Sequence, residues 1–124
     1  MIDFQNASFV KLSPVQNSDF ESLLAPLLAP GEQIVQSFRG IRDGIVFTEK
    51  RIFAVNIQGI TGKKKDITSL PYNRIQAFSI ETAGVLDLDS ELELWFSGLG
   101  KVKFEFVSHA NVSGICRMIS EKVL

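Results

Sequence analysis

A chain of 124 residues suits a single domain, and its 45% hydrophobic and 22% charged residues are typical of a folded globular protein. Thirteen Lys and Arg residues against fourteen Asp and Glu residues give a formal net charge of −1, so no overall field would gather nucleic acid, and we expect no nucleic-acid partner. Cys116 is the only cysteine, which excludes an intrachain disulfide, and the N-terminus lacks the pattern of a secretory leader, so we expect a cytoplasmic protein.

The N-terminal segment is predicted to form an arm and a short helix. Residues 1–16 show no clear periodicity, so we expect an extended arm whose apolar side chains dock elsewhere on the domain. Ser18 and Glu21 have the spacing of a capping box, which predicts that a helix starts here. Phe20 belongs to the apolar face of this helix, and Pro30-Gly31 ends it.

Short strands separated by turn residues are predicted from residue 31 to residue 107. Gly, Pro, Asn and Asp divide segments that alternate apolar and polar side chains or are rich in β-branched and aromatic residues. Asp43-Gly44 is typical of a tight hairpin turn. About seven strands result, at 33–41, 45–48, 51–58, 63–70, 74–82, 86–96 and 101–106.

The predicted strand at 51–58 is apolar on both faces. Phe53, Val55 and Ile57 alternate with Ile52 and Ala54. A strand with this pattern lies in the centre of a covered sheet or contributes to a contact between subunits, and the sequence leaves both alternatives open. Phe53 and Ile57 are therefore candidate residues of an oligomer interface.

A hairpin is predicted from two amphipathic segments that flank residues 97–100. One register of this hairpin pairs Glu93 with Lys103 and Trp95 with Lys101. Trp95 then points away from the core, where a large aromatic side chain is typical of an interface. Packing against another strand or against the N-terminal arm is the alternative for this side chain.

The last element is predicted to be a helix from about Asn111, because Val112, Ile115 and Ile119 recur at helical spacing and form a stripe that can cover one end of a barrel. The fold class is therefore mainly β, a barrel or sandwich of about seven antiparallel strands capped by a C-terminal helix, with a short N-terminal helix. We expect one domain over 1–124, with the arm and short helix at 1–30, the strands at 31–107 and the capping helix at 108–124.

The segment at 59–65, GITGKKK, resembles a phosphate-binding loop in composition but not in spacing. A P-loop needs four residues between its glycines, and it opens a helix, whereas a strand is predicted here. We interpret the segment as a glycine-bearing hairpin with a solvated basic edge. The alternative is that Lys63, Lys64 and Lys65 contact an anion or a phospholipid headgroup.

No catalytic, metal-binding or cofactor-binding residues are predicted. Asp87, Asp89 and Glu91 resemble the start of a calcium loop, but Leu92 stands where an EF-hand needs glycine. His109 is the only histidine, and the sequence singles out no nucleophile and orienting acid to accompany it, so we expect a helix-cap or surface residue.

Several short motifs occur in an order that is typical of a known family. They include Arg42-Asp43, Thr61-Gly62-Lys63-Lys64, Pro71-Tyr72 and, most specifically, Glu81-Thr82-Ala83-Gly84 followed by Asp87-Leu88-Asp89. On these motifs, residues 31–124 resemble the bacterial pleckstrin-homology-like domain family, long catalogued as a domain of unknown function. The resemblance implies a bent, seven-stranded pleckstrin-homology-like barrel closed by a C-terminal helix, and assembly into ring-like homo-oligomers.

The resemblance does not extend to the lipid site of eukaryotic pleckstrin-homology domains. Those domains bind phosphoinositides through a basic loop between their first two strands, and the loop here, Arg42-Asp43-Gly44, is short and nearly neutral. The likeness in fold alone therefore does not imply lipid binding. Within the bacterial family, the chain departs at Asn56, where an acidic residue is expected.

The sequence favours a non-enzymatic interaction module without a cofactor, which self-assembles through strand edges and through Trp95, Phe53 and Ile57. The expected partner is a second copy of the chain, and an unidentified protein partner is also compatible with these features. The alternative function is a peripheral membrane or anionic-ligand module, with anionic lipid as its partner, that uses the basic edge defined above.

Overall fold

The computed structural model describes residues 1–81, 90–107 and 110–124. The predictions made for 82–89, including the start of a calcium loop, and for His109 lie outside the described residues. The helices are α1 (Ser18–Leu24) and α2 (Val112–Val123), and one 3₁₀ turn spans Tyr72–Arg74. The strands are β1 (Phe9–Val15), β2 (Ile34–Arg39), β3 (Asp43–Thr48), β4 (Arg51–Gln58), β5 (Lys64–Pro71), β6 (Ile75–Glu81), β7 (Ser90–Phe96) and β8 (Gly100–Phe106).

These strands form one sheet in the order β5-β4-β3-β2-β1-β8-β7-β6. Every neighbouring pair is antiparallel except β1 and β8, which run parallel. The predicted mainly β class with two helices is confirmed, and β1 is an additional strand within the segment expected to be an extended arm. Sequence periodicity missed β1 because its register shifts between Phe9 and Leu12, where Lys11 has a positive φ of 53°.

The core is rich in phenylalanine. The rings of Phe38 and Phe106 lie 4.8 Å apart, and those of Phe9 and Phe104 lie 5.5 Å apart, both edge to face. These contacts join β1, β2 and β8, so the N-terminal strand ties the two halves of the sheet together. Helix α2 buries an apolar stripe against this core, as predicted, through Val112, Ile115 and Ile119. None of the helices in the described parts of the chain is long and apolar enough to cross a membrane.

The predicted capping box at the start of α1 is wrong. Ser18 is the first helical residue, and Asn17 precedes the helix without a capping hydrogen bond from its side chain. The Asn17 side chain instead donates to the carbonyl of Val35 at 3.3 Å and accepts a hydrogen bond from Ser37 at 2.9 Å. It therefore fastens the start of α1 to β2 rather than satisfying the free N–H groups of the helix.

The predicted turn at Asp43-Gly44 is also displaced, because both residues belong to β3. Gly44 pairs with Arg39 on β2 and with Val55 on β4. A Cβ atom at Gly44 would lie 2.5 Å from the Cζ atom of Phe20, which belongs to α1. Glycine is therefore needed at this position, because the Phe20 ring packs closely against the sheet here. The turn between β2 and β3 falls at residues 40–42.

Candidate functional site

Lys63, Lys64 and Lys65 lie where β4 turns into β5. The turn uses Gly59 and Gly62, whose φ angles of 77° and 68° fall in the left-handed region. The segment is a hairpin, as the sequence indicates, and all three lysine side chains are exposed. Within the described ranges, none of these lysines forms an ion pair.

The turn between β2 and β3 lies directly beside this basic turn. The Arg42 guanidinium donates to the Gly59 carbonyl at 2.6 Å, and the Ile57 N–H donates to the Arg42 carbonyl at 2.9 Å. These two hydrogen bonds hold the two turns together at one end of the sheet. The residue between Gly40 and Arg42 is an isoleucine, Ile41, and it is 87% exposed.

A second isoleucine projects from the basic turn. Ile60 is 104% exposed, and the neighbouring Arg42 adds a further cation to the three lysines. Sequence reasoning singled out the lysines but missed both isoleucines, although an isoleucine inside a turn that otherwise carries glycine and polar residues was a readable signal. We call this region the tip surface, and it consists of Ile41, Arg42, Ile60, Lys63, Lys64 and Lys65.

The two acids that directly follow Arg42 and Lys65 in the chain are bound to other groups. Asp66 forms an ion pair at 3.1 Å with the amino group of Met1. Asp43 accepts a hydrogen bond at 2.6 Å from Asn56, and burial raises the pKa of Asp43.

Trp95 is half exposed on the outer face of β7, at 48% of its reference area. It pairs with Ala77 on β6 and with Lys101 on β8, so the predicted pairing of Trp95 with Lys101 and of Glu93 with Lys103 is confirmed. Because Ala77 is small, the indole borders an open depression of about 210 Å³ on that side, and a larger depression of about 790 Å³ lies towards the N-terminal segment.

The other two candidate interface residues differ from each other in exposure. Phe53 is only 1% exposed, because α1 covers the outer face of β4 and packs Phe20 and Leu24 against it. The two-sided apolar strand is thus covered on both faces by its own chain, and Phe53 has no surface to offer while α1 stays docked. Ile57 is half-buried and borders a depression of about 340 Å³ beside Lys65.

The most strongly perturbed acid lies away from these surfaces, in the connection between α1 and β2. The Glu32 carboxylate is fully buried and accepts hydrogen bonds from Arg51 at 2.7 and 3.0 Å, from Thr48 at 2.6 Å and from the Ala29 N–H at 2.9 Å. Burial raises the pKa of this carboxyl, but the hydrogen bonds and the Arg51 charge outweigh it and hold the pKa at about 2. A carboxylate engaged in this way is a structural anchor rather than a general base.

Metal and thiol chemistry gain no support from the described parts of the chain. There, no three His, Cys, Asp or Glu side chains are grouped closely enough to hold a metal ion. Cys116 is half-buried on α2, and burial raises the pKa of its thiol, so the reactive thiolate is disfavoured at neutral pH.

The mainly β sheet with a C-terminal helix agrees with the pleckstrin-homology fold that the sequence resemblance implies. The model of the bacterial PH domain family matches residues 3–123, and the chain belongs to that family. The resemblance found in the sequence is therefore confirmed.

Relatives and solved structures agree with this assignment. The uncharacterized protein YjqA of Bacillus subtilis (strain 168) is 43% identical over 117 residues, which cover 93% of this chain and 90% of YjqA. The uncharacterized protein YozO of the same organism is 31% identical over 107 residues, covering 86% and 92% of the two chains.

The fold also matches solved structures. A crystal structure of a DUF1696 family protein with a pleckstrin-homology domain from Shewanella loihica is similar, with a TM-score of 0.80, 37% identity and coverage of 93% of this chain and 99% of that one. A pleckstrin-homology domain from Shewanella amazonensis gives a TM-score of 0.68 at 37% identity, with coverage of 96% and 93%.

Proposed function

We propose that this protein is a cytoplasmic, non-enzymatic interaction module that assembles into a ring-like homo-oligomer, and that the free edge of β6 with the neighbouring Trp95 forms one of its contact surfaces. The observation that carries this proposal is the contrast between the two strands at the ends of the sheet. Among the described residues, β5 and β6 each pair with another strand on one side only. Free edges of this kind are templates for pairing with another chain.

The β5 edge has the features that discourage such pairing. Lys64 and Lys65 are exposed along it, and Pro71 at its end lacks an N–H group. The first residues of the chain also lie against β5, where the Ile2 N–H donates to Thr68 at 3.1 Å. Edge-to-edge association through β5 is therefore disfavoured.

In the described parts of the chain, the β6 edge lacks this protection. Its sequence, IQAFSIE, contains neither lysine nor proline, and Ala77 and Ser79 are short exposed side chains on its outer face. Trp95 lies on the adjacent strand opposite Ala77, so a chain that pairs with β6 would also reach the indole. A ring forms when this surface meets a different surface of the next subunit and the rotation that relates neighbouring subunits closes on itself.

Two groups with strongly shifted pKa values, Glu32 and Tyr72, support the non-enzymatic character because both are engaged in internal hydrogen bonds. The lone pairs of Glu32 are occupied by Arg51, Thr48 and a backbone N–H, and the hydroxyl of Tyr72 donates to the Thr48 carbonyl at 2.6 Å. These groups fix the fold and present no base or nucleophile to a substrate.

Light scattering coupled to size-exclusion chromatography tests the proposal. For the unmodified chain we expect a discrete mass that is several times the 13.8 kDa of one subunit. The double variant Ala77→Lys/Ser79→Lys should shift this mass towards the monomer, because charged lysine side chains on an edge strand oppose its pairing with another chain.

A matched control separates the edge from the added charge. Ser22→Lys/Ala25→Lys changes the same two residue types at exposed positions, one on α1 and one directly after it, and its mass should equal that of the unmodified chain. A monomeric unmodified chain, or equal masses for the two double variants, would show that the β6 edge does not mediate assembly.

A further inference from the structure

Beyond self-assembly, we propose that a depression at the end of the sheet opposite the tip surface binds a small amphipathic carboxylate. The carboxylate lies between Lys50 and Lys122, and the apolar body of the ligand lies against Ala29 and Pro71. The depression has a volume of about 500 Å³, which is within the range of small-molecule sites. It shares no lining residue with the depression beside the β6 edge, so it is separate from the surface proposed for assembly.

Four distant parts of the chain build this depression. The β3–β4 turn supplies Lys50, and the connection between α1 and β2 supplies Ala29. The end of β5 supplies Pro71, and the last turn of α2 supplies Lys122. Because β3 and β4 run from the tip surface to the turn that holds Lys50, the two surfaces lie at opposite ends of these strands.

Internal hydrogen bonds fix the walls of the depression. The Glu32 carboxylate accepts from the Ala29 N–H at 2.9 Å and from the Arg51 guanidinium at 2.7 Å, which holds the connection after α1 against β4. The Tyr72 N–H donates to the Lys50 carbonyl at 3.2 Å, which holds the 3₁₀ turn against the β3–β4 turn. A ligand therefore meets a backbone that is already ordered, and this lowers the cost of binding.

The charges that line the depression match one carboxylate. Lys50 and Lys122 are exposed, and in the part of the chain that the structure describes neither forms an ion pair. Arg51 and Glu32 neutralise each other at 2.7 Å. Glu49 is the further acid of the lining, so three cations and two acids leave a net charge of +1. A single carboxylate balances this charge, whereas a phosphate dianion exceeds it.

The remaining lining favours a ligand with an apolar body over a simple inorganic anion. Ala29 and Pro71 present apolar surface beside the two lysines. The exposed amide of Asn73, which has no hydrogen bond within the described ranges, is available as a donor to the second carboxylate oxygen. An inorganic anion would use these donors and leave the apolar surface in water, whereas an amphipathic carboxylate covers both.

Saturation-transfer NMR with phenylpropionate as the probe tests this site. The method observes the ligand, so a large assembly does not hinder it. We expect phenylpropionate to bind with a dissociation constant of about 1–10 mM, as is typical of a ligand of this size. Phenylpropanol has the same ring and chain without the charge, and it should bind about tenfold more weakly.

A pair of double variants locates the binding. Lys50→Ser/Lys122→Ser should weaken phenylpropionate binding about tenfold or more and leave phenylpropanol binding nearly unchanged. Lys11→Ser/Lys63→Ser makes the same change in net charge at exposed lysines that do not line the depression, and it should bind phenylpropionate within about twofold of the unmodified protein.

Three outcomes would overturn the proposal. Absence of saturation transfer to phenylpropionate would exclude binding, and equal loss in the two double variants would exclude this depression. Equal binding of phenylpropionate and phenylpropanol would exclude recognition of the carboxylate. Displacement of phenylpropionate by acetate, but not by chloride at the same ionic strength, would support the carboxylate subsite. Light scattering on the same samples reports assembly separately, so failure of one proposal leaves the other intact.

Discussion

Replacing Glu32 by glutamine removes the charge of a buried carboxylate and leaves its shape nearly unchanged. In the native protein this carboxylate joins the segment between α1 and β2 to Arg51 on β4, whose guanidinium also donates to the Leu27 carbonyl at 2.8 Å. The variant leaves the Arg51 guanidinium without its counterion. It also places the N–H group of the glutamine amide against a side chain that donates a hydrogen bond to Glu32 in the native protein. We expect the free energy of unfolding to fall by about 3 kcal/mol at pH 7, a magnitude typical of a broken buried ion pair.

The pKa of Glu32 gives a second, independent value for the free energy that this carboxylate contributes to stability. Its folded-state value of about 2, compared with 4.5 for an ordinary glutamate, corresponds to about 3 kcal/mol of stabilisation. Because folding lowers this pKa, the stabilisation is complete above about pH 5 and is lost as the pH falls through 4.5 towards 2. At pH 3, about 2 kcal/mol of it is already lost.

Urea unfolding at pH 7 and pH 3, followed by circular dichroism, measures both effects. The difference in the free energy of unfolding between the unmodified protein and Glu32→Gln should fall from about 3 kcal/mol at pH 7 to about 1 kcal/mol at pH 3. Both proteins are compared at one concentration, because assembly would add to apparent stability. Glu121→Gln on the exposed side of α2 is the control, and it should lie within about 0.5 kcal/mol at both pH values. A gap for Glu32→Gln that is under about 0.5 kcal/mol at pH 7, or that is equal at the two pH values, would refute the reasoning.

Three further substitutions test separate contacts. Gly44→Ala places a Cβ atom 2.5 Å from the buried ring of Phe20, and we expect a loss of about 1–3 kcal/mol in chemical unfolding; an unchanged midpoint would mean that the ring moves aside freely. Tyr72→Phe leaves the buried Thr48 carbonyl without the hydroxyl donor, and it should lose about 1–2 kcal/mol by the same measurement, to the same extent at pH 7 and at pH 3. Trp95→Ala should weaken association about 30-fold in the concentration dependence of the mass, and an unchanged dependence would remove the indole from the contact.

The parts of the fold that sequence predicts best are those fixed by neighbouring residues. The predicted bounds of β4 coincide with the observed strand Arg51–Gln58, because turn residues flank an uninterrupted run of apolar and β-branched side chains. The register of the β7–β8 hairpin also agrees, since alternation on both strands and a short connection allow few other pairings.

What sequence failed to predict depends on contacts between distant residues. Phe53 reads as a candidate surface residue until α1, some 30 positions earlier, is seen to cover it. The Glu32–Arg51 ion pair and the Arg42–Gly59 hydrogen bond join residues that are 19 and 17 positions apart, so neither follows from local pattern. The isoleucine in each turn is visible in the sequence, but the tip surface as a whole is not, because its two turns become one surface only when β3 and β4 pair.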